Sequence, residues 1–530
     1  MYNVKKYLKK FWIIILIFLG TLGLRIWALS LQPYVQYDEP SSFVVATSTN
    51  TFKNKKIKLT ATDFDFKKNT QYNGGELQKV FFTPQNSLLD DLKYLRDVNI
   101  DRVHPTLYHS ILRIWINNLG EFEYYKYLNH ARILNLLFFI ISFLIMYKLL
   151  KSIKNNDKFI ALGLFFAFTN PGGIMQSTIA REYILMETTF ILATYLSLNL
   201  AKKIIKNENI PYKILFLYPI GLSLFLQSGY FSVVYLSLIL TILVGIGIYY
   251  KRWNSLVKIL IIFVLTSLYT VICYPQYFNF SYQNEHWNDI KANLSPILFL
   301  SNLFEKISTM NEYMYLFFLN KINYWITILL SAMYILKPKS KFWGKEVFTK
   351  KELLTILAIY GTVIIWAIMV LSLQDFKISR YIMPAAGIYC LLLTALTYSC
   401  RKTIIITISL LTITYNISIF KYDNIMTYNR LRYINAVNFT TIPTNFKVGQ
   451  DLPIIFVDIP NKFAIGNFLF TSVKNTDTII FKDKIPDNNY SYKKFTLVTS
   501  QELPDRLSDI NIPWGSNLFT LRVYYFDINK

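Results

Sequence analysis

Long runs of apolar residues, separated by short polar segments, recur along most of this chain. A helix needs about 20 apolar residues to cross a bilayer, and eleven runs approach that length. The predicted spans are residues 11–31, 132–150, 159–177, 183–201, 212–228, 231–249, 258–275, 316–336, 353–373, 381–399 and 403–420. A hydrophobic fraction of 53% and a mean hydropathy of +0.31 over 530 residues agree with this pattern. The sequence predicts a mainly α-helical, polytopic membrane protein with about 11 transmembrane helices.

The first run, 11–31, follows a cluster of lysines, as a signal peptide would. It is too long for a signal-peptide core, and no small-residue cleavage site follows it. We therefore expect a retained first span. The three cysteines lie in or beside apolar runs and give no disulfide framework.

The charges predict the orientation in the membrane. Alternate connections between the predicted spans hold 23 lysines and arginines, giving them +19 of the net charge of +24. The acids in the same segments are Asp157, Glu208, Glu346 and Glu352. Short basic connections stay in the cytoplasm, so the basic balance indicates topology more than nucleic-acid binding. We expect a multi-pass protein of the inner (plasma) membrane with a cytoplasmic N-terminus and with 32–131, 276–315 and 421–530 outside.

The outer segment 32–131 is too long for a passive connector, and loops of this length are usually functional. Within it, the stretch DRVHPTLYHSILRIWINNLG, residues 101–120, predicts an amphipathic helix with Pro105 in its first turn and Gly120 at its end. The apolar positions at helical spacing are Leu107, Ile111, Ile114 and Trp115. His109, Arg113 and Asn117 fall on another face. Such a helix can lie in the headgroup plane.

The tail has a different pattern. Four runs, LPIIFVDIP, DTIIFKDK, KKFTLVTS and NLFTLRVYYFD, are β-like and bounded by Pro, Asn or Asp. We predict a transmembrane domain over 1–420, including the large outer loop, and a small extracytoplasmic soluble α/β domain over 421–530.

Adjacent carboxylates, Asp38 and Glu39, follow the first span in the stretch YVQYDEPSS. They are either a solvated loop start or a functional pair, as a general base, a metal site or both. In the outer segment 276–315, Glu285 and His286 could bind a divalent metal ion together with Glu39, since imidazole and carboxylate are both zinc ligands. This is the one cofactor that the residues suggest.

Ionisable residues also mark the outer ends of two spans. Arg181 and Arg380 are each followed closely by a tyrosine, Tyr183 and Tyr381. Both arginines could simply extend to the lipid headgroups, but guanidinium groups also bind phosphate oxygens bidentately. Glu187 lies about one turn inside a span, as a functional residue or as the partner of a base on a neighbouring helix.

The stretch HPTLYH, residues 104–109, opens the amphipathic helix and contains His104, Tyr108 and His109. Proline favours an extended residue before it. A lone histidine before a helix is more often a capping or packing residue than a ligand.

The order of these motifs resembles the membrane glycosyltransferases of the GT-C fold, nearest the protein O-mannosyltransferases and the bacterial aminoarabinose transferases that modify lipid A. In that family the helix typically begins HPPLYY and the next span RLPS. The matching stretches here are HPTLYH and, at 132–135, RILN. AREYILMETTFILATYLSL and SRYIMPAAGIYCLLL resemble two further family segments. Thr106 replaces the second proline of the family pattern and His109 a usual tyrosine, departures that would retune the acceptor or donor pocket.

The resemblance implies transfer of a sugar from a polyprenyl-phosphate donor to a lipid, glycan or protein acceptor outside the membrane. By resemblance, Asp38 would be the general base, and Glu39 would orient the acceptor, support Asp38 or bind a metal. Arg181 and Arg380, with Tyr183 and Tyr381, would hold the donor phosphate. His104, Tyr108 and His109 would contact substrate. A single displacement should invert the anomeric centre.

Two alternatives stay open. A lipid-linked glycan transporter or flippase would share the spans and interfacial arginines, but it should show related halves with broken helices, and no half-to-half repeat is visible. A polymerase or ligase of the O-antigen type would also use lipid-linked donors outside the membrane.

Overall fold

The computed structural model describes most of the membrane-embedded chain and parts of the remainder. The described residues are 2–30, 38–47, 70–82, 87–98, 105–120, 123–278, 296–336, 342–344, 348–373, 381–421, 452–457, 477–482, 494–499, 511–516 and 519–527. Most of them are helical. Helices α1–α9 are Tyr2–Ser30, Asp38–Thr47, Gly74–Phe82, Leu88–Val98, Leu107–Trp115, Tyr124–Ile153, Asp157–Thr169, Pro171–Ser177 and Tyr183–Lys206. Helices α10–α18 are Tyr212–Leu226, Ser232–Tyr249, Trp253–Cys273, Pro296–Tyr313, Asn320–Leu336, Lys350–Ser372, Ala386–Tyr389, Leu391–Tyr398 and Lys402–Lys421.

Among the described residues, seven helices are long and apolar enough to cross a membrane, or up to nine if each of two bent helix pairs is one span. The bent pairs are Asp157–Thr169 with Pro171–Ser177, at 61°, and Leu303–Phe318 with Asn320–Leu336, at 115°. Two shorter apolar helices are Tyr212–Leu226 and Met383–Tyr398. Each of the eleven predicted ranges overlaps one of these helices or pairs, although 316–336 covers little more than the second helix of its pair. The chain is a mainly helical, polytopic membrane protein.

The break between α7 and α8 has a local cause. Pro171 cannot donate the backbone N–H that would continue α7, and the Asn170 side chain accepts the N–H of Gly173 at 2.7 Å, which caps α8. Asn416 on α18 donates to the freed carbonyl of Thr169 at 2.7 Å. The last predicted span therefore satisfies a backbone group released inside the apolar region.

Packing of α6 against α9 forms much of the core. Toward the middle of α9, Phe190 stacks on Tyr235 with ring centroids 4.3 Å apart and contacts Trp366 at 4.8 Å. Thr194 and the Tyr235 hydroxyl lie 2.9 Å apart in the same region. These contacts pack the middle of α9 against α11 and α15.

The amphipathic helix predicted over 101–120 is α5, and it begins after Pro105 instead of including it. The predicted orientation was wrong in one respect: Arg113 and His109 are buried, whereas Ile114 is 52% exposed. The reason is a buried ion pair, since Arg113 Nε lies 2.6 Å from Asp91 Oδ2 on α4. A compensated charge can enter a protein interior that an isolated one cannot.

The described strands of the tail lie in a six-stranded sheet. Its strands β1–β6 are Gln71–Asn73, Ile454–Val457, Thr478–Lys482, Lys494–Thr499, Asn511–Ser516 and Phe519–Asp527, in the order β1-β3-β2-β4-β6-β5. All four runs predicted as strands are strands. The central strand β2 is parallel to both β3 and β4, whereas the other pairings are antiparallel. Strand β1 comes from the outer loop, so the sheet joins two distant parts of the chain.

Candidate active site

Glu39 connects three elements. Asp38 is the first residue of α2 and Glu39 the second. The Glu39 side chain is fully buried. Its Oε1 accepts the backbone N–H of Ala180 at 2.6 Å, and Arg132 on α6 donates to Oε1 and Oε2, each at 3.3 Å. Glu39 thus fastens the start of α2 both to α6 and to residues 178–182, called the site loop here, which join α8 to α9.

Arg181 lies in the site loop and is almost fully buried. Its Nε is 3.1 Å from Glu182 Oε2, and its Nη1 donates to Ser42 Oγ on α2 at 3.3 Å. Glu39 on α2 therefore contacts the site loop, and Arg181 in the site loop contacts α2. The structure brings these two sequence predictions together.

Tyr108 on α5 is part of the same neighbourhood. Burial raises the pKa of Tyr108 well above its ordinary value, the nearby Glu182 and Glu39 raise it further, and Arg181 opposes them. Its hydroxyl is buried and has no hydrogen-bond partner among the described residues. The phenol therefore stays protonated at neutral pH and keeps an available hydrogen-bond donor and acceptor.

The structure also gives positions for three further predicted site residues, His109, Tyr183 and Tyr381. His109 is fully buried beside Tyr108, with ring centroids 5.9 Å apart. Tyr183 is buried as the first residue of α9. The Tyr381 ring lies against Phe231, with centroids 5.4 Å apart. His104, Arg380 and His286 lie outside the described residues, as does the side chain of Asp38.

Among the described residues, the predicted metal site has no second ligand beside Glu39. Glu39 is already engaged by an arginine and a backbone N–H, and Glu285 and His286 lie outside the described part of the chain. No group of three His, Cys, Asp or Glu side chains among the described residues could hold a metal ion. The described donor set suits an ion pair more than a cation site.

Sequence reasoning missed Arg132, Glu182 and Ser42 as site residues. Arg132 and Glu182 stand inside motifs that carried the resemblance, next to residues that were singled out. The position of Arg132 near the start of a span marks it as a candidate, but its pairing with Glu39 depends on how α2 and α6 meet. Nothing in the sequence indicates Ser42, since its role depends on how α2 faces the site loop.

The described charges at this site balance: Glu39 and Glu182 face Arg132 and Arg181. Fold and site together define a polytopic helical membrane protein with a buried, charge-balanced site between α2 and the N-terminal parts of the two long helices α6 and α9. No protein-family model and no curated protein match the chain.

Solved structures do show similarity. ArnT from Cupriavidus metallidurans, bound to undecaprenyl phosphate, aligns over 96% of this chain and 97% of its own, with 9% identity and a TM-score of 0.48. The Archaeoglobus fulgidus oligosaccharyltransferase tethered to an acceptor peptide aligns over 90% of this chain and 64% of its own, with 9% identity and a TM-score of 0.41. The oligosaccharyltransferase AglB from the same organism, with an inhibitory peptide and a dolichol-phosphate, gives 9% identity, 90% and 65% coverage and a TM-score of 0.37.

Proposed function

We propose that this chain is a GT-C-type membrane glycosyltransferase that moves a sugar from a polyprenyl-phosphate donor to an acceptor outside the membrane, with inversion. The observation that carries the proposal is the engagement of both Glu39 oxygens by Arg132 and the Ala180 N–H. Because both of its oxygens are engaged, Glu39 holds α2 and its neighbour Asp38 in position. Asp38 is then the carboxylate that accepts a proton.

In the proposed reaction, Asp38 accepts the proton of the acceptor hydroxyl as that oxygen bonds to the anomeric carbon of the sugar. The bond from that carbon to the phosphate oxygen breaks on the opposite face, which inverts the centre. Arg181 stabilises the negative charge that grows on the leaving phosphate. Tyr108, a neutral phenol beside these charges, is suited to hydrogen-bond a sugar or acceptor hydroxyl.

The positive charges of the described site are already balanced by Glu39 and Glu182, which limits how it could bind a donor phosphate. Arg181 is already paired with Glu182, so an incoming phosphate needs either Arg181 to turn from Glu182 or a further base. Arg380, predicted at the same membrane level, is the proposed second base. The proposed location is the plasma membrane, with this site on the outer side.

Asp38→Asn tests the general base. We expect loss of the glycosylated product by at least about a hundredfold, because a positioned general base contributes roughly that much or more. Glycolipid and glycan profiles, compared by mass spectrometry in cells with the wild-type chain, with the variant and without the chain, measure this. Asp90→Asn, at an exposed position of the outer-loop helix α4, is the matched control. Wild-type product from folded, inserted Asp38→Asn protein would exclude the assignment.

A further inference from the structure

A fully buried arginine lies in the first membrane helix. Arg25 Nη1 donates to the carbonyl of Phe168 at the end of α7, at 2.8 Å, and to the carbonyl of Thr21 at 3.2 Å. The guanidinium carbon lies 4.0 Å from the centre of the Phe139 ring on α6. Its Nε and Nη2 have no hydrogen-bond partner among the described residues. Arg25 therefore attaches α1 to α6 and α7, and two of its guanidinium nitrogens still have N–H groups available to donate.

A fully buried carboxylate lies on α9, one turn beyond its start. Neither oxygen of Glu187 has a hydrogen-bond partner among the described residues. The charged group that acts on it electrostatically is Arg25, and Glu187 acts on Arg25 in return. Gly387 packs closely against it: a Cβ there would lie 3.6 Å from Oε1. The two side chains are not in direct ion-pair contact. Glu187 lies beside the end of α7, because the same Gly387 Cβ would also lie 3.6 Å from the carbonyl of Ala167, whose neighbour Phe168 accepts from Arg25.

Each charge makes the other tolerable. A single buried charge inside a membrane protein is costly, and removing one partner of a buried pair leaves the other uncompensated. Removing both together avoids that cost. Pairing with a base on a neighbouring helix was one of the two alternatives that the sequence left for Glu187, and Arg25 on α1 is the base inferred here.

The pair also flanks the site loop. Arg25 holds the end of α7, and Ala28, one turn further along α1, packs against Ile174 on α8. Glu187 lies on α9, which leaves the site loop on its other side. Helices α7 and α8 precede the site loop and α9 follows it. They are therefore linked to each other through α1 and this charge pair.

We propose that Arg25 and Glu187 are positioning residues, and that their attraction fixes the site loop so that Arg181 and the Ala180 N–H face α2. The proposal rests on the proposed transferase function for its effect on rate. The existence of the coupled pair does not depend on that function. Both side chains are fully buried, and neither is assigned a contact with substrate.

A double-mutant cycle of Arg25→Met and Glu187→Gln tests the pair without any activity assay. Purified full-length protein in detergent should show a lower Tm for each single variant, and the double variant should recover most of the loss. This recovery follows because the double variant leaves no unpaired charge. Independent, additive losses of Tm would overturn the pair.

A comparison of kcat between the double variant and the wild type tests whether the pair positions the site loop. The double variant should keep kcat reduced by about tenfold to a hundredfold although its Tm is restored, since small displacements of catalytic groups cost that much. Thr194→Val removes another buried polar contact on α9, far from the site loop, and should lower Tm while kcat stays unchanged. A double variant with wild-type kcat would show that the pair is only structural and would overturn the proposal. Coupled Tm values with no transferase activity in the wild type would instead overturn the proposed function and, with it, the positioning role.

Discussion

At the scale of single residues, the site is organised by charges that are buried and paired. Glu39 receives Arg132 and a backbone N–H, and Arg181 contacts Glu182. The sequence motifs named Glu39 and Arg181 because acids and arginines at a membrane boundary are conspicuous. They did not name Arg132, since pairing across 93 positions is set by how α2 and α6 meet.

Glu39→Gln should destabilise the protein by about 3–5 kcal/mol, because it leaves the Arg132 charge buried without its counterion. Thermal unfolding of the detergent-solubilised protein measures this as a lower Tm. Glu208→Gln, at a surface position beside Lys203 and Lys206, should match the wild type. Equal Tm values for Glu39→Gln and Glu208→Gln would mean that the buried pair does not contribute to stability.

Tyr108 predicts a pH dependence. Its pKa is raised in the folded protein, chiefly by burial, whereas an unfolded tyrosine titrates near pH 10. Its stabilising contribution is therefore complete below about pH 10 and is lost as the pH rises, because only the unfolded chain then releases that proton.

Tm measured between about pH 9 and pH 11 should fall less steeply for Tyr108→Phe than for the wild type. Tyr212→Phe, at an exposed position, should follow the wild type. Parallel curves for all three proteins would contradict the assignment.

At the scale of elements, hydrophobic runs predicted the spans well because bilayer thickness imposes their length. The 61° break after Thr169 was not predicted, although Asn170-Pro171 marks it in the sequence. The buried face of α5 was also missed, because Arg113 enters the interior only where Asp91 meets it. Periodicity describes one helix, whereas burial depends on its neighbours.

The pairing of β1 with β3 can be tested by cross-linking. Asn73 and Thr478 are directly opposed, and opposed residues of antiparallel strands have Cα atoms about 4.5–5.5 Å apart, which is within disulfide range. The variant Asn73→Cys with Thr478→Cys should form a disulfide on mild oxidation, detected by peptide mass spectrometry without reduction.

The control pairs Asn73→Cys with Lys494→Cys on β4, three strand spacings or about 14 Å away. It should remain reduced. Efficient cross-linking of the control, or none in the opposed pair, would contradict the strand order.

At the scale of the whole molecule, the charge distribution predicts which side faces the cytoplasm. In a Cys273→Ser background, a membrane-impermeant maleimide should label Asn118→Cys in intact cells, because the outer segment is predicted to face out. Glu208→Cys should react only after permeabilisation. The reverse pattern would invert the topology and move the candidate site to the cytoplasmic side.

The sequence by itself determined the membrane class, the approximate spans and the four main strands of the tail. These follow from local composition and period, which every stretch of chain carries within itself. It also singled out Glu39 and Arg181 as ionisable residues near a lipid boundary, and Tyr108 through the HPTLYH motif that carries the family resemblance. The tertiary structure alone decided that Glu39 is bound by Arg132, that residues 71–73 give an edge strand to the tail sheet, and that Arg25 donates to the carbonyl of Phe168. Those are contacts between residues far apart in sequence, and only the packing of the helices and strands brings them within reach.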